Sequence, residues 1–341
     1  MQKVFITGGA GFIGSAFVRL LMDQYPSAFV TNFDNLTYAG NLDNLTGITS
    51  ERYRFVKGDI AEPGAVLAAL DKNTDVVVNF AAESHVDRSI TQAAEFLRTN
   101  IVGTQVLLDA SRERGVKRFV HISTDEVMGS LPENENEFFT EASPFAPNSP
   151  YAASKAAAEH FVRAAHHTFG LDTIVTRCGN NYGPRQFPEK FLPLIIANAL
   201  NDQRIPLYGD GKNVRDWIYV DDHCRAILLA LDKGKSGAIY NIGARNERRN
   251  IDVLKSVLDT LGKPHSLIKH DKDRLGHDRR YAIDPTLIET ELGWRPLETW
   301  ETGLRKTIQW YHDNRQWLER ARSGAYRDYY RTQYGTEVSA P

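Results

Sequence analysis

Residues 3–14 read Lys3-Val4-Phe5-Ile6-Thr7-Gly8-Gly9-Ala10-Gly11-Phe12-Ile13-Gly14, and the class of fold turns on this stretch. Its start is mostly apolar or β-branched, as in a buried strand, and a helical pattern opens at Phe12. Between them the glycines satisfy both Gly8-x-x-Gly11-x-x-Gly14 and Gly9-x-Gly11-x-x-Gly14. Glycines so placed let the backbone turn sharply and approach a pyrophosphate, which then meets the positive end of the helix. A second strand-like run, Phe29–Asp34, ends in a carboxylate 20 residues after Gly14. There an acid accepts hydrogen bonds from an adenosine ribose, and it would repel a 2′-phosphate, so NAD is favoured over NADP. Asp59, closing the fragment Gly58-Asp59-Ile60, is a candidate for the adenine edge.

Working outward, strand patterns recur at Tyr53–Lys57, Asp75–Phe80, Arg118–Ser123 and Asp172–Arg177. Helical patterns fall at Phe12–Met22, Pro63–Leu70, Thr99–Arg114 and Tyr151–Thr168. The run Val76-Val77-Val78-Asn79-Phe80 is apolar on both faces, as in a parallel sheet covered by helices. The alternation predicts an α/β fold with a Rossmann-type doubly wound parallel sheet. After Cys178 prolines multiply, Gly209-Asp210-Gly211 marks a tight turn, and helices are expected near Ile251–Leu261 and Glu301–Arg320. We therefore expect an NAD-binding domain over 1–177 and a smaller α+β substrate-binding lobe over 178–330, with the chain crossing back between them. A polar tail, 331–341, is expected to fray.

Composition narrows the function. With 341 residues, 42% hydrophobic and 25% charged, the chain can bury a sizeable core. A formal net charge of −2 offers no basic field for nucleic acid or a membrane surface, so a phosphate-bearing ligand must be held by a few local groups. Two cysteines, Cys178 and Cys224, are too few for a disulfide framework or a four-ligand zinc site, and no metal is expected. The N-terminus lacks a signal-peptide pattern and no run approaches the roughly 20 apolar residues of a membrane span, so a cytoplasmic location is expected.

Two stretches carry reactive groups. Tyr151-Ala152-Ala153-Ser154-Lys155 opens a helix after Pro150, and the i, i+4 spacing puts phenol and ammonium on one face. The ammonium and a positive nicotinamide are expected to lower the Tyr151 pKa, making it a base for a hydroxyl proton. Ser123-Thr124-Asp125-Glu126-Val127 sets two adjacent carboxylates at the carboxyl end of a central strand, where ligands bind. Beside a cofactor they can serve as a general acid and a general base.

Read together, TGGAGFIGS, Leu36-Thr37-Tyr38-Ala39-Gly40-Asn41, Ala81-Ala82-Glu83-Ser84-His85-Val86-Asp87-Arg88, STDEV and Tyr-x-x-x-Lys resemble one family. So do Asn180-Asn181-Tyr182-Gly183-Pro184, Phe187-Pro188-Glu189-Lys190, Arg215-Asp216-Trp217 and Gly276-His277-Asp278-Arg279-Arg280-Tyr281. It is the family of dTDP-glucose 4,6-dehydratases, within the extended short-chain dehydrogenases/reductases, and the likeness runs from about residue 2 to 315. The resemblance implies that Tyr151, aided by Lys155, takes the C4 hydroxyl proton while hydride passes to NAD. Glu126 then removes the C5 proton, Asp125 protonates the departing C6 hydroxyl, and hydride returns to C6, leaving a 4-keto-6-deoxy sugar. It further implies cofactor contacts at Gly8, Gly11, Phe12, Ile13, Gly14, Asp34, Asn35, Leu36, Thr37, Asp59, Ile60, Ala81, Ala82, Ser84, Thr99, Tyr151, Lys155 and Asn181. Thr124 and Asn180 would bond the sugar and Lys190 and Arg215 the diphosphate. Asn250, Arg274 and His277 would line the nucleotide end, with Ser84, Phe191, Pro206 and Tyr208 completing the substrate site.

The sequence departs from that family at Met128, where Tyr is usual, at Gly179, where Ser is usual, and at Leu275, often Pro. The first two are expected to reshape the sugar pocket without removing a proton-transfer group. The rival readings are a 4-epimerase or a dehydratase of another nucleotide sugar, and a non-catalytic NAD-sensing protein. An epimerase needs no acid–base pair for C5 and C6, and a sensor would be expected to lose reacting groups, so Asp125 and Glu126 count against both. The alanines at 152, 153, 156, 157, 158, 164 and 165 exceed what one buried helix face needs. With the resemblance, they imply a homodimer through a four-helix interface that includes Thr99–Arg114.

Overall fold

A computed structural model describes residues 1–133 and 136–323. The first half runs β1 (Lys3–Thr7), α1 (Phe12–Gln24), β2 (Phe29–Asp34), β3 (Tyr53–Lys57), α2 (Pro63–Ala69) and β4 (Val76–Asn79). Short helices α3 (Val86–Thr91) and α4 (Ala93–Phe96) lead through a π-helical segment, Leu97–Val102, into α5 (Gly103–Arg114). Then come β5 (Arg118–Thr124), α6 (Pro150–Phe169) and β6 (Thr173–Cys178). The second half runs β7 (Asn180–Tyr182), α7 (Phe191–Leu200), β8 (Ile205–Tyr208), β9 (Val214–Tyr219), α8 (Val220–Lys233) and β10 (Ile239–Ile242). It continues with β11 (Glu247–Arg249), α9 (Asn250–Leu261), β12 (Ile268–Asp271), α10 (Thr286–Leu292), α11 (Trp300–Asp313) and α12 (Arg315–Ala321).

Seven strands form one sheet in the order β10-β6-β5-β4-β1-β2-β3, with every pairing parallel. All four residues of β4 are buried, as helices on both sheet faces require. Strand order reverses beside β1, so the loops leaving β1 and β4 part there and open a crevice at the carboxyl edge. Gly8 makes that crevice tight. Its φ is +69°, and a Cβ on it would stand 2.6 Å from the Ala81 backbone nitrogen. Only glycine allows both the left-handed turn and the approach of the two loops. Pairing of Ser123 with Arg177 and of Thr124 with Cys178 brings the ends of β5 and β6 to the same edge.

The remaining strands form two small sheets, β11-β9-β7 and β12-β8, over a second apolar core that includes Leu192, Trp217, Leu254, Trp300 and Tyr311. The second half of the chain is not confined to that core. α8 packs on α1, β10 extends the seven-stranded sheet, and Ile227, Tyr240 and Trp294 share one core with Val4, Phe17 and Leu21.

The expected first-half strands are all present within a residue at either end. Two helices differ from expectation. The segment from Thr99 starts inside the π-helical turn, and the run Glu301–Arg320 breaks at Asn314, whose Nδ2 caps the Trp310 carbonyl at 2.8 Å. Strands β7 to β12 and helices α7, α8 and α10 were not among the expected elements, although α8 carries a clear amphipathic pattern. The polar tail beyond residue 330 lies outside the described residues.

Behind the carboxyl edge, Arg177 and Glu159 form a buried ion pair between β6 and α6, with Nη2–Oε2 at 2.8 Å and both side chains almost wholly enclosed. Ser123 Oγ donates to the same carboxylate. Removing one partner strands the other charge. Arg177→Met is therefore expected to cost about 3–5 kcal/mol of folding free energy, read from urea denaturation.

Candidate active site

A cavity of about 320 Å³ follows the carboxyl edge of the large sheet. The glycine turn forms its floor, with Gly8, Gly11, Phe12, Ile13 and Gly14 lining it. Gly11 caps α1 without a side chain, so the first-turn N–H groups of that helix meet whatever lies before it. Asp34 is buried by the same wall, its Oδ2 accepting from Ala10 N at 2.9 Å and its Oδ1 from Leu36 N at 2.8 Å. Each oxygen keeps a further lone pair for a ribose hydroxyl. Asn35, Thr37, Asp59, Ile60, Ala81, Ala82, Ser84, Thr99 and Asn181 also line this cavity. Asp59 is engaged there by Arg98 and by Ala61 N. Leu36 is the exception among the expected cofactor residues. It adopts φ +54° to give its N–H to Asp34, and its side chain packs on the core instead of lining the cavity. The donor set, a capless helix start beside a carboxylate with open lone pairs, fits a dinucleotide.

The reacting groups stand at the other end of the same cavity. α6 begins with Ser149, whose Oγ accepts from Ala152 N at 3.1 Å, and Pro150 sits in the first turn. This cap fixes the register that faces Tyr151 and Lys155 inward together. Lys155 Nζ donates to the Ile122 carbonyl at 2.6 Å, and burial pushes its pKa down to about 8. The expected lowering of the Tyr151 pKa does not arise from the folded chain. Burial and the neighbouring Glu126 carboxylate push it well above 10, against a smaller downward pull from Thr124.

Asp125 and Glu126 follow β5 in a 3-10 turn that Thr124 caps, its Oγ1 accepting from Glu126 N at 3.3 Å. The adjacent acids occupy different fields. Asp125 is buried, its Oδ2 has no partner among the described residues, and desolvation followed by Glu126 holds it well above the ordinary carboxylate range. Desolvation raises Glu126 too, but Arg274, Arg215 and Lys190 pull it back. Burial thus raises both acids, the Glu126 charge adds to the rise at Asp125, and three cations oppose it at Glu126.

Glu126 also marks a junction. Together with Ser84, Asn180, Glu189 and Lys190 it lines both the first cavity and a second of about 170 Å³. Phe191, Pro206, Tyr208, Arg215, Asn250, Arg274 and His277 surround the second one, while Thr124 lines the first. Its cations are anchored from behind. Lys190 Nζ donates to the Ser84 carbonyl at 2.6 Å, and Arg215 Nη2 to the Asp278 carbonyl at 2.9 Å. Burial lowers the pKa of both, and that of His277 to about 4. A diphosphate entering there would neutralise charges already desolvated.

The departure at Met128 does not act as expected. The side chain lines neither cavity and is buried against Phe139 with its sulfur 3.6 Å from Arg177 Nη1. Gly179 does line the first cavity, and a Cβ there would lie 2.7 Å from the Asp216 carbonyl oxygen. Leu275 is exposed. The sequence reading missed Cys178, Glu83, Gln186 and Phe187 as lining residues of the first cavity, and Asp87, Trp217 and Tyr281 of the second. Most sit beside residues it did single out, so adjacency was the available signal. Among the described residues no His, Cys, Asp and Glu side chains cluster as a metal site would require.

A doubly wound sheet, a dinucleotide cleft and a Tyr–Lys helix define an extended short-chain dehydrogenase/reductase. Residues 5–307 match the family described as GDP-mannose 4,6 dehydratase, and the chain belongs to this family of nucleotide-sugar dehydratases. In particular, it is similar to dTDP-glucose 4,6-dehydratases. That of Shigella flexneri is 49% identical over 98% of this chain and 99% of its own length. That of Streptomyces venezuelae, solved with NAD and a further ligand bound, is 50% identical with a TM-score of 0.91, covering 94% of this chain and 100% of that one. A UDP-glucose 4-epimerase of Thermus thermophilus, solved with NAD, is 31% identical with a TM-score of 0.84, covering 92% and 100%.

The glycine turn supplies a direct check. A Cβ on Gly14 would overlap the Gly8 carbonyl oxygen, so the first turn of α1 must move away. Gly14→Ala is expected to weaken dinucleotide binding about 5- to 150-fold, the size of a 1–3 kcal/mol overpacking cost, in a fluorescence titration with NADH.

Proposed function

We propose that this chain converts dTDP-glucose to its 4-keto-6-deoxy product and water, with NAD held as a catalyst that is not consumed. The observation that carries this reading is the contrast between two neighbouring carboxylates where the two cavities meet: Asp125 buried with Oδ2 unpartnered among the described residues and pushed up by burial and Glu126, Glu126 facing three cations. Proton removal at C5 and hydroxyl loss at C6 need that pair, whereas inversion at C4 alone does not. Tyr151, with Lys155 beside it, takes the C4 hydroxyl proton. The C4 ketone acidifies C5, Glu126 accepts the C5 proton, and Asp125 gives its proton to the C6 hydroxyl, which leaves as water. Bound NAD would supply the electron sink at C4 and give the same electron pair back at C6 while Glu126 returns a proton to C5. Asp125 regains a proton as the one taken up at Tyr151 is released, so the sugar undergoes no net redox change.

Thr124 and Asn180 orient the sugar, and Lys190 and Arg215 bind the diphosphate. Asn250, Arg274 and His277 face the nucleoside end. On this reading residues 1–177 serve the cofactor and 178–330 mainly the sugar nucleotide. The free buried thiols of Cys178 and Cys224 agree with a reducing, cytoplasmic setting. A homodimer is supported by the outward stripe Ala153, Ala157, Phe161 and Ala164 on α6, beside exposed Leu97 and Val102. Phe161→Glu combined with Ala157→Glu is expected to give the mass of one chain by light scattering, and the unaltered protein twice that mass.

Isotopes test the reaction. From dTDP-glucose deuterated at C4, the label is expected at C6 of the same molecule, and in D₂O the product gains deuterium at C5. Label returned to C4 would make the chain an epimerase instead. Glu126→Gln is expected to abolish C5 exchange, and Asp125→Asn to preserve exchange while slowing water loss, each by about 10²–10⁴-fold. Equal, unimpaired exchange in both variants would overturn this assignment of roles.

A further inference from the structure

Two walls of the dinucleotide cavity are held from outside it, by side chains with no role assigned above. The first holder is Asn44, in the 3-10 turn Leu42–Leu45 that follows β2. It is fully buried, and its amide joins distant parts of the chain. Asn44 Nδ2 donates to the Ala10 carbonyl at 2.9 Å, and Oδ1 accepts from Trp317 Nε1 on α12 at 3.0 Å. A carbonyl oxygen only accepts and an indole N–H only donates, so the two partners fix which way the amide points.

The Ala10 carbonyl belongs to the glycine turn. Asn41 N also donates to it, at 3.0 Å, while Gly11 N, the other end of the same peptide, donates to the Gly8 carbonyl at 3.1 Å. The plane of the Ala10–Gly11 peptide is therefore held from both sides, immediately before the capless first turn of α1. Arg19 on α1 donates to the Asn44 carbonyl at 2.6 Å and to the Thr46 carbonyl at 2.8 Å, which ties the same short turn to the helix.

Trp317 is fixed in its turn. Its ring stands edge-on to Trp310 and Tyr311 of α11, with centroids 5.0 and 6.1 Å away. Tyr311 is fully buried, and its hydroxyl donates at 2.5 Å to the carbonyl of Gln186, a residue that lines the first cavity. One aromatic cluster of the second core thus braces two walls of that cavity. It reaches the glycine turn through Asn44 and the loop before α7 through Tyr311.

We propose that Trp317, acting through Asn44, is a positioning residue for the glycine turn, and that this brace sets how long the dinucleotide stays bound. The physical reason is preorganisation. With both ends of the Asn44 amide satisfied, the N–H groups at the start of α1 are already aimed when a diphosphate arrives. Without the indole N–H, Asn44 Oδ1 is a buried acceptor that has lost its donor, and the amide gains by turning away from Ala10. The dinucleotide must then order the turn itself, and a loss of this kind appears mainly in the dissociation rate. A cofactor reduced and reoxidised within one turnover requires slow release. That requirement rests on the reading of NAD as a catalyst that is not consumed, whereas the brace rests only on a dinucleotide occupying the glycine turn.

The experiment measures NADH release without any sugar nucleotide. Protein loaded with NADH is mixed with excess NAD, and the fall in bound-NADH fluorescence is followed. Trp317→Phe keeps a ring in the aromatic cluster and removes the N–H, and it is expected to speed release about five- to tenfold. Asn44→Ser, too short to join both partners, is expected to do the same. The double variant should release no faster than the faster single one, because both changes break one chain of contacts. Trp294→Phe is the control. It removes another fully buried indole donor, the one bonded to the Asp222 carbonyl at 3.1 Å, and release is expected to stay as in the unaltered protein.

Unchanged release in Trp317→Phe would overturn the proposal. An equal acceleration in Trp294→Phe would overturn it too, as general loosening of the fold, and so would effects that multiply in the double variant. If Trp317→Phe does not fold, Asn44→Ser, which leaves the aromatic cluster whole, decides by the same rate. Protein that takes up no NADH would also overturn this inference. Failure to form product from dTDP-glucose counts against the proposed function alone, since release is read without the sugar.

Discussion

A Cβ at Gly8 would stand 2.6 Å from the Ala81 backbone nitrogen, and one at Gly14 would overlap the Gly8 carbonyl. The rest of the structure depends on this absence of side chains at the reversal of strand order. Because the β1 and β4 loops touch, the end of β1, the start of α1 and the end of β4 share one edge. The cavity that follows this edge passes from Asp34 on β2 to Glu126 after β5, with the capless start of α1 between them. Backbone N–H groups at a helix start suit a diphosphate without a surface of positive charge, which agrees with a chain whose formal net charge is −2.

The same close packing makes the site electrostatically expensive and so chemically useful. Desolvation is the first cause of the pKa shift at Asp125, Glu126, Tyr151, Lys155, Lys190 and Arg215 alike. It pushes acids up and bases down, which brings the two carboxyls and Lys155 toward the range in which protons can be exchanged and moves Tyr151 away from it. What differentiates the groups is their neighbours: Asp125 has Glu126 against it, and Glu126 has three cations around it. Arg177 and Glu159, one layer behind, hold the ends of β5 and β6 against α6 while satisfying each other. The site therefore stands on a rigid buried base instead of on mobile loops.

Much of this was legible in residue order because the deciding signals are local. A strand, a glycine turn, a helix and Asp34 lie within 32 residues, and Tyr151 and Lys155 within one helical turn. Short-range sterics and the 3.6-residue period fix such relations wherever the segment lies. The first-half strands were readable for the same reason, since β-branched runs between turns carry their own pattern. The small strands of the second half were not, because most are three or four residues long, too short for an alternation to show.

Sequence by itself determined the doubly wound half, the dinucleotide turn and the pairing of Tyr151 with Lys155 on one helix face, since each is written in a few consecutive residues. Only the tertiary structure decided that β10 closes the large sheet and that Met128 turns away from the cavities while Leu36 packs into the core. It alone set a raised instead of a lowered pKa on Tyr151 from the chain's own groups. It also joined Ala10, Asn44 and Trp317 into one hydrogen-bonded chain, though they lie near opposite ends of the sequence. The physical reason is common to all of these: burial and charge neighbours depend on which distant segments pack together, and no local pattern in the chain encodes that packing.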